Sequence, residues 1–303
     1  MNTTGSSPSR QEKSAKQVTS SKQSTSWFDL PAPLRSLFDT FPLLTYDEND
    51  LPQRTSTARA QHTLHIFTLG NERLSPNPAC LKWQAWLLAR RLPFKVVSAN
   101  NHASPTGALP FILPAQVSRK DPQPQAITSS KIQRWAESQG IAEESFDMRL
   151  EAYTALIEQN IRNAWLYFLY LQEDNFEHVA KRLYVDSASS NSLVRAALAY
   201  QLQAAAREQL LRTKTRIDAE EIYESADAAF QSLATALSDQ SFFSKTDSPS
   251  LFDATLFSYT HLILRFGENS QTSMAWKDST LLDLLSRHEE LVQHSQRVLG
   301  FCE

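Results

Sequence analysis

The stretch Ala-Ser-Pro-Thr-Gly-Ala-Leu-Pro-Phe-Ile-Leu, residues 103–113, sets a proline directly in front of an apolar run. The chain has only six glycines and places one of them three residues before that proline. Proline has no N–H and fixes its own φ, so it does not belong inside a central strand. A proline that opens a strand points instead to a special backbone geometry. Because X-Pro bonds keep only a small preference for trans, Pro110 is the candidate for a cis peptide. Gly107 is the residue that allows the turn delivering it.

The flanking elements say which fold needs such a turn. Residues 64–69 (LHIFTL) read as a strand, and Asn77-Pro78 as an N-cap followed by proline in a first helical turn. That helix runs to about Arg91 with Cys80, Trp83, Leu87 and Leu88 on one face. FKVVSA reads as a strand, then PFIL after the proline turn. Proline-rich RKDPQP makes a loop, QAIT a last short strand, and residues 130–138 a helix. The order β-α-β then β-β-α needs one parallel crossover and one hairpin, which is the thioredoxin-like order. From residue 145 onward the pattern is helical, over 146–171, 191–213, 218–237, 250–266 and beyond 278. Ser250-Leu-Phe-Asp253 is a capping-box variant in which hydroxyl and carboxylate exchange bonds with each other's backbone. A thioredoxin-like half followed by an all-helical half with this cap resembles the glutathione transferase scaffold. The expected class is α/β plus all-α.

At 303 residues the chain has room for about two domains. Residues 1–26 are mostly Ser, Thr, Gln and Lys and are expected to be a disordered tail, since they cannot bury enough apolar surface to offset ordering. Residues 27–61 form an apolar extension, in which Leu34, Leu37, Phe38 and Phe41 share one helix face. Either this extension packs on the main body, or Trp27, Phe28, Leu30, Leu34 and Phe38 dock onto a partner. Residues 62–140 then form the thioredoxin-like domain and 141–303 the helical one. A net charge of −3 does not suit nucleic-acid binding, and two cysteines are no disulfide framework. No run approaches the ~20 apolar residues a membrane span needs, so membrane association is expected to be peripheral.

Three segments carry a closer resemblance. SPNPACL at 75–81, ASPTGALPFI at 103–112 and QAITSSKIQRWAESQG at 125–140 are similar to the corresponding segments of the metaxin family, and with the N-terminal extension the chain looks most like its fungal members. Ser130 or Lys131 stands where a metaxin often has glycine. The resemblance implies a non-enzymatic subunit of the mitochondrial sorting and assembly machinery, on the cytosolic face of the outer membrane. Its partners are then a β-barrel core subunit, a sister metaxin and β-barrel precursors.

The rival readings are a glutathione-dependent transferase and a transferase-like module of a soluble cytosolic assembly. A transferase needs a hydroxyl or thiol near the first helix's N-terminus to stabilise a thiolate. GNERLSPNPAC holds no tyrosine, Ser75 is its one hydroxyl, and Cys80 reads as core. An acidic residue is also needed before the serine opening the last helix of the first domain, where Ser129-Ser130 stands. On those two losses no catalytic residue and no cofactor are expected. His62, His65, His288 and His294 lack metal-ligand spacing, so no metal is expected either. Glu143-Glu144 and Glu220-Glu221 read as solvated faces. Arg207, Arg212, Lys214 and Arg216 read as a basic patch answering a helix dipole or, alternatively, touching anionic lipid.

Overall fold

In the computed structural model, residues 60–303 are described apart from 71, 117–124, 145–146, 213, 239, 245 and 268–273. The readings of the 1–26 tail, and of Trp27, Phe28, Leu30, Leu34 and Phe38 as partner contacts, lie outside these residues.

Four strands, β1 (His62–Ile66), β2 (Phe94–Ser98), β3 (Phe111–Leu113) and β4 (Ile127–Thr128), form one sheet in the order β2-β1-β3-β4. β1 runs parallel to β2, with Leu64 opposite Val96, and antiparallel to β3, with Leu64 opposite Ile112. β3 and β4 make the hairpin. Leu64, Ile66 and Ile112 are fully buried, as period-2 alternation requires of one covered face. β1 starts two residues earlier than its apolar run suggests. His62 and Thr63 are drawn in by pairing with Phe94 and Lys95, and Phe67–Leu69 leave the sheet.

Helix α1 (Pro78–Ala89) covers the sheet through Cys80, Leu81 and Leu87. It ends where Arg91 takes a left-handed φ of 53°. A 3₁₀ turn at Ser129–Lys131 leads into α2 (Ile132–Ser138). The helical half opens with one long helix, α3 (148–171), in which α-helical Met148–Leu156 and Arg162–Leu166 alternate with π-helical Ile157–Ile161 and Tyr167–Leu171. Helix α4 (173–186) follows, a second mixed α and π element that the sequence pattern does not announce. Its cap is Gln172, whose side chain accepts from the Asn175 N–H in place of the usual Ser, Thr, Asp or Asn. Next come α5 (Ser192–Leu211), α6 (Ala219–Leu237), α7 (Leu251–Arg265), α8 (Thr280–Ser286) and α9 (Glu289–Gly300). Asn191, Asp218 and Ser250 cap α5, α6 and α7 through their side chains.

The two halves share a core. Trp86 of α1 is 1% exposed and Phe257 of α7 fully buried, and both belong to the same apolar cluster as Phe168 and Phe230. Glu144, read from sequence as part of a solvated face, instead joins the halves. Its carboxylate accepts from Trp86 Nε1 at 2.7 Å, from Arg90 at 2.5 Å, and from the Leu251 N–H. The basic patch also resolves differently. Arg212 pairs with Glu208, Lys214 with Glu221 and Arg216 with Asp218, so local carboxylates neutralise three of its four cations. Among the described residues no helix is long and apolar enough to cross a membrane.

Candidate functional site

The N-terminus of α1, the turn before β3 and the start of the 3₁₀ turn before α2 face the helical half. They line two clefts that meet across Ala79 and Leu109. One, of 970 Å³, lies toward the ends of β1 and β2 and takes in Asn77, Cys80, Asn101, Tyr184 and Leu202. The other, of 530 Å³, lies toward α3 and α7 and takes in Lys82, Trp83, Pro110, Ser129, Arg162 and Tyr259.

Leu109–Pro110 is cis, and Gly107 has a φ of +70°, a conformation glycine adopts without steric cost. The Leu109 N–H is taken by Asn101 Oδ1 at 3.3 Å. Asn77 Oδ1 accepts from the Cys80 N–H at 3.2 Å, the Leu81 N–H bonds to the Asn77 carbonyl, and Pro78 has no N–H. The Ala79 amide is therefore the one in the first turn for which the described residues offer no acceptor. It lies where the two clefts meet.

Ser75 is not placed for chemistry. It is fully buried; its Oγ donates to the Phe67 carbonyl at 2.6 Å and accepts from the Asn77 N–H at 3.3 Å. Its own N–H donates to Gln84 Oε1 at 2.9 Å. Ser75→Ala should lower stability by about 1 kcal/mol, because it strips partners from the part-buried Phe67 carbonyl and Asn77 N–H. Thermal unfolding should show that loss; unchanged stability would contradict this placement. Cys80 is fully buried too, and burial pushes its thiol up to about 11, so it is protonated and unreactive at neutral pH.

Ser129 lines the smaller cleft, while Ser130 is exposed, and the 3₁₀ turn they open has no side-chain cap. Ser250 and Asp253 stand apart from both clefts' polar groups, buried at the start of α7. Burial pushes the Asp253 carboxyl up, but the His294 contact, the Ser250 bonds and the Phe243 N–H outweigh this and hold it below its ordinary value. His294 Nε2 lies 2.9 Å from Asp253 Oδ1, both side chains fully buried. Among the described residues no group of His, Cys, Asp and Glu is arranged to hold a metal.

Sequence reasoning looked for a hydroxyl only near the first strand. The fold brings one from elsewhere: Tyr184 of α4 donates to the Pro76 carbonyl at 3.3 Å and lines the larger cleft beside Asn77. Burial, the largest influence, holds its phenol well above the ordinary range, so it stays a neutral donor. Lys82, Arg162 and Gln209 in the smaller cleft were likewise unmarked, because nothing local sets them apart from surface residues.

Two family models match the chain. Residues 78–175 match a glutathione S-transferase N-terminal domain and residues 226–298 a glutathione S-transferase C-terminal domain. The chain carries glutathione-transferase-like N- and C-terminal domains. This corrects the expectation that the protein is not an enzyme, since both matched models describe domains of an enzyme family. That expectation rested on two missing side chains, whereas a donor can also come from another element or from a helix N-terminus. Among solved structures, a glutathione S-transferase of Ceriporiopsis subvermispora in complex with glutathione is similar at 16% identity. It covers 80% of this chain and 98% of its own, with a TM-score of 0.51. A glutathione transferase family member of Pseudomonas fluorescens, with two glutathione bound, is 14% identical and covers 88% and 98%, with a TM-score of 0.47. At these identities the likeness is one of fold. No curated protein matches the transferase-domain chain closely enough to count as a relative.

Proposed function

We propose that the chain is a glutathione-dependent transferase whose thiol sits where the two clefts meet, at Ala79 and Leu109. The observation that carries this reading is the unaccepted Ala79 N–H at the N-terminus of a 12-residue helix, open to both clefts. An amide donor and the positive end of a helix dipole favour a thiolate over a thiol. Tyr184 lines the larger cleft beside Asn77, but its hydroxyl hydrogen is already given to the Pro76 carbonyl at 3.3 Å, so the Ala79 amide is the donor on which this reading relies. The thiolate then attacks an electrophilic carbon: the C–S bond forms, the bond to the leaving group breaks, and the thiol's proton passes to solvent.

Isothermal titration should show saturable glutathione binding, and 1-chloro-2,4-dinitrobenzene should be conjugated faster than in buffer alone. Ala79→Glu puts a carboxylate at a position that suits a helix N-terminus but repels a thiolate. It should leave the unfolding temperature unchanged or higher and reduce glutathione affinity at least about tenfold through that repulsion, the backbone N–H itself being kept. Absence of both binding and conjugation in the parent chain would sink the reading.

A second reading adds a location and partners to the same fold. The 103–112 segment, which resembles the metaxin family, forms the turn into β3. On that support the chain is a peripheral subunit of the mitochondrial outer-membrane sorting and assembly machinery, in contact with its β-barrel core subunit, a sister metaxin and β-barrel precursors. A mild-detergent pull-down from mitochondria should recover the barrel subunit; recovery of the chain only from cytosol, alone, would exclude this reading.

A further inference from the structure

We propose that the outer face of α5 (Ser192–Leu211) is an interface between two copies of this chain, packed antiparallel about a two-fold axis. This does not depend on the transferase reading, and α5 lies between the two stretches that match transferase-domain models.

Helix α5 is apolar on more sides than its place in the fold requires. Its inner side is held to α3 by the Gln203 amide on the Tyr170 carbonyl at 3.2 Å and by Arg162 on Gln209 at 3.3 Å, and only Ala206 and Leu210 are buried. The opposite side carries Leu193, Ala197, Tyr200, Ala204, Arg207 and Leu211, all exposed. Their alternating steps of four and three residues make the seven-residue repeat of a coiled-coil seam. Leu193, Tyr200 and Leu211 are 79%, 75% and 51% exposed. Of the five large apolar side chains exposed among the described residues, four lie on this one helix. A concentration of that kind marks an interaction surface.

The order of large and small residues identifies the partner. When two copies of α5 run antiparallel with Tyr200 opposite Ala204 of the second copy, Leu193 falls opposite Leu211 and Arg207 opposite Ala197. The central layers then set a bulky side chain against a small one, and the outer layers close with leucine on leucine. A seam that matches itself on reversal is what an isologous two-fold interface requires. The Arg207 stem lies along Ala197 with its guanidinium at the rim. Beside the seam Gln201 meets its own copy and Glu208 comes beside Val194, so no like charges are brought together. The area also fits. A 20-residue helix is about 30 Å long and about 10 Å across. Covering its outer half removes roughly 500–600 Å² per copy, about 1,100 Å² in total, which passes the ~1,000 Å² expected of a specific interface and stays under the ~1,600 Å² of a standard one. The dimer is therefore reversible, with a dissociation constant in the micromolar range.

Sedimentation velocity of the full chain, from about 1 to 200 µM, should show a shift from monomer to dimer. Leu193→Glu and Tyr200→Glu, both at exposed positions, should unfold like the parent at low protein concentration and weaken dimerisation at least about tenfold. Disulfide capture reads the direction of pairing, because Cys80 and Cys302 are buried and do not compete. Leu193→Cys mixed with Leu211→Cys and oxidised with diamide should give a linked dimer. Leu193→Cys alone should not, since its two copies stand about 27 Å apart along the helices. A parent chain that stays monomeric across the range overturns the proposal, whether or not the variants fold, and leaves this face to a different protein. A dimer that both folded glutamate variants leave intact overturns it as well. Capture by Leu193→Cys alone overturns the antiparallel pairing.

Discussion

Replacing Asp253 by Ala is expected to destabilise the protein by about 3–5 kcal/mol, the range for breaking a buried, hydrogen-bonded charge contact. For a chain of this size that lowers the unfolding temperature by roughly 5–8 °C. The cause is the number of buried groups that depend on one carboxylate. Oδ2 accepts from the Ser250 N–H at 2.8 Å and from Ser250 Oγ at 2.6 Å, closing the capping box of α7. Oδ1 accepts from the Phe243 N–H at 2.9 Å and lies 2.9 Å from His294 Nε2 of α9. One residue therefore fixes the start of α7, the chain before it and the last helix.

The pH dependence has a definite sign. The folded carboxyl lies below its ordinary value of 3.8, so its stabilisation is fully present above that value. It is lost as pH falls through the folded value. The stability gap between the parent and Asp253→Ala should thus stay open from neutral down to about pH 4 and narrow in stronger acid. Chemical unfolding followed by circular dichroism at several pH values measures it. A gap under 1 kcal/mol at neutral pH, or one that widens with acid, would show that Asp253 is not the anchor.

The Asp253 site also shows where reading from sequence stops. The Ser250-x-x-Asp253 box was legible because a cap and its partner lie three residues apart, and the same holds for Asn77 before Pro78. His294, 41 residues away from Asp253, completes the cluster only once α9 packs beside α7. Sheet order followed from element order, but the first residues of β1 did not. His62 and Thr63 carry no apolar signal, and pairing with β2 alone brings them in. Residues 173–186 were read as helical with the rest of the second half but not as a separate element, since Gln172 is not a usual cap. The candidate site was legible in part. The proline turn and the first helix's cap could be read, whereas Tyr184, Lys82 and Arg162 acquire meaning only from the surface they face. The non-enzyme expectation was drawn from two missing side chains in one region, and the match of both halves to glutathione S-transferase domain models overturns it.

Glu144→Ala should produce the second largest loss, about 3 kcal/mol, from hydrogen bonds made to one charged acceptor. The side chains of Arg90 and Glu144 are only 18% and 21% exposed, so solvent screens their pair far less than a surface ion pair. The carboxylate also accepts from Trp86 Nε1 at 2.7 Å and, with both oxygens, from the Leu251 N–H at 3.0 Å. Leu251 is the first residue of α7, whose N–H has no partner inside its own helix. A negative charge there satisfies that donor and complements the helix dipole. Removing it leaves the buried Trp86 indole N–H without its acceptor, the Leu251 amide bare, and Arg90 with a bond to Ser248 Oγ and its stacking on the Trp86 ring. Glu144→Gln keeps an acceptor but loses the charge, so it should fall between parent and Ala. A double-mutant cycle with Arg90→Met isolates the ion pair, whose coupling should account for only part of the loss, since Trp86 and Leu251 do not involve Arg90. Hydrogen exchange at the Leu251 amide should accelerate in the Ala variant more than at amides mid-way along α7. If unfolding changes by less than 0.5 kcal/mol and that amide exchanges as before, Glu144 does not tie the halves together. The bond network would then be a surface contact that water replaces without cost.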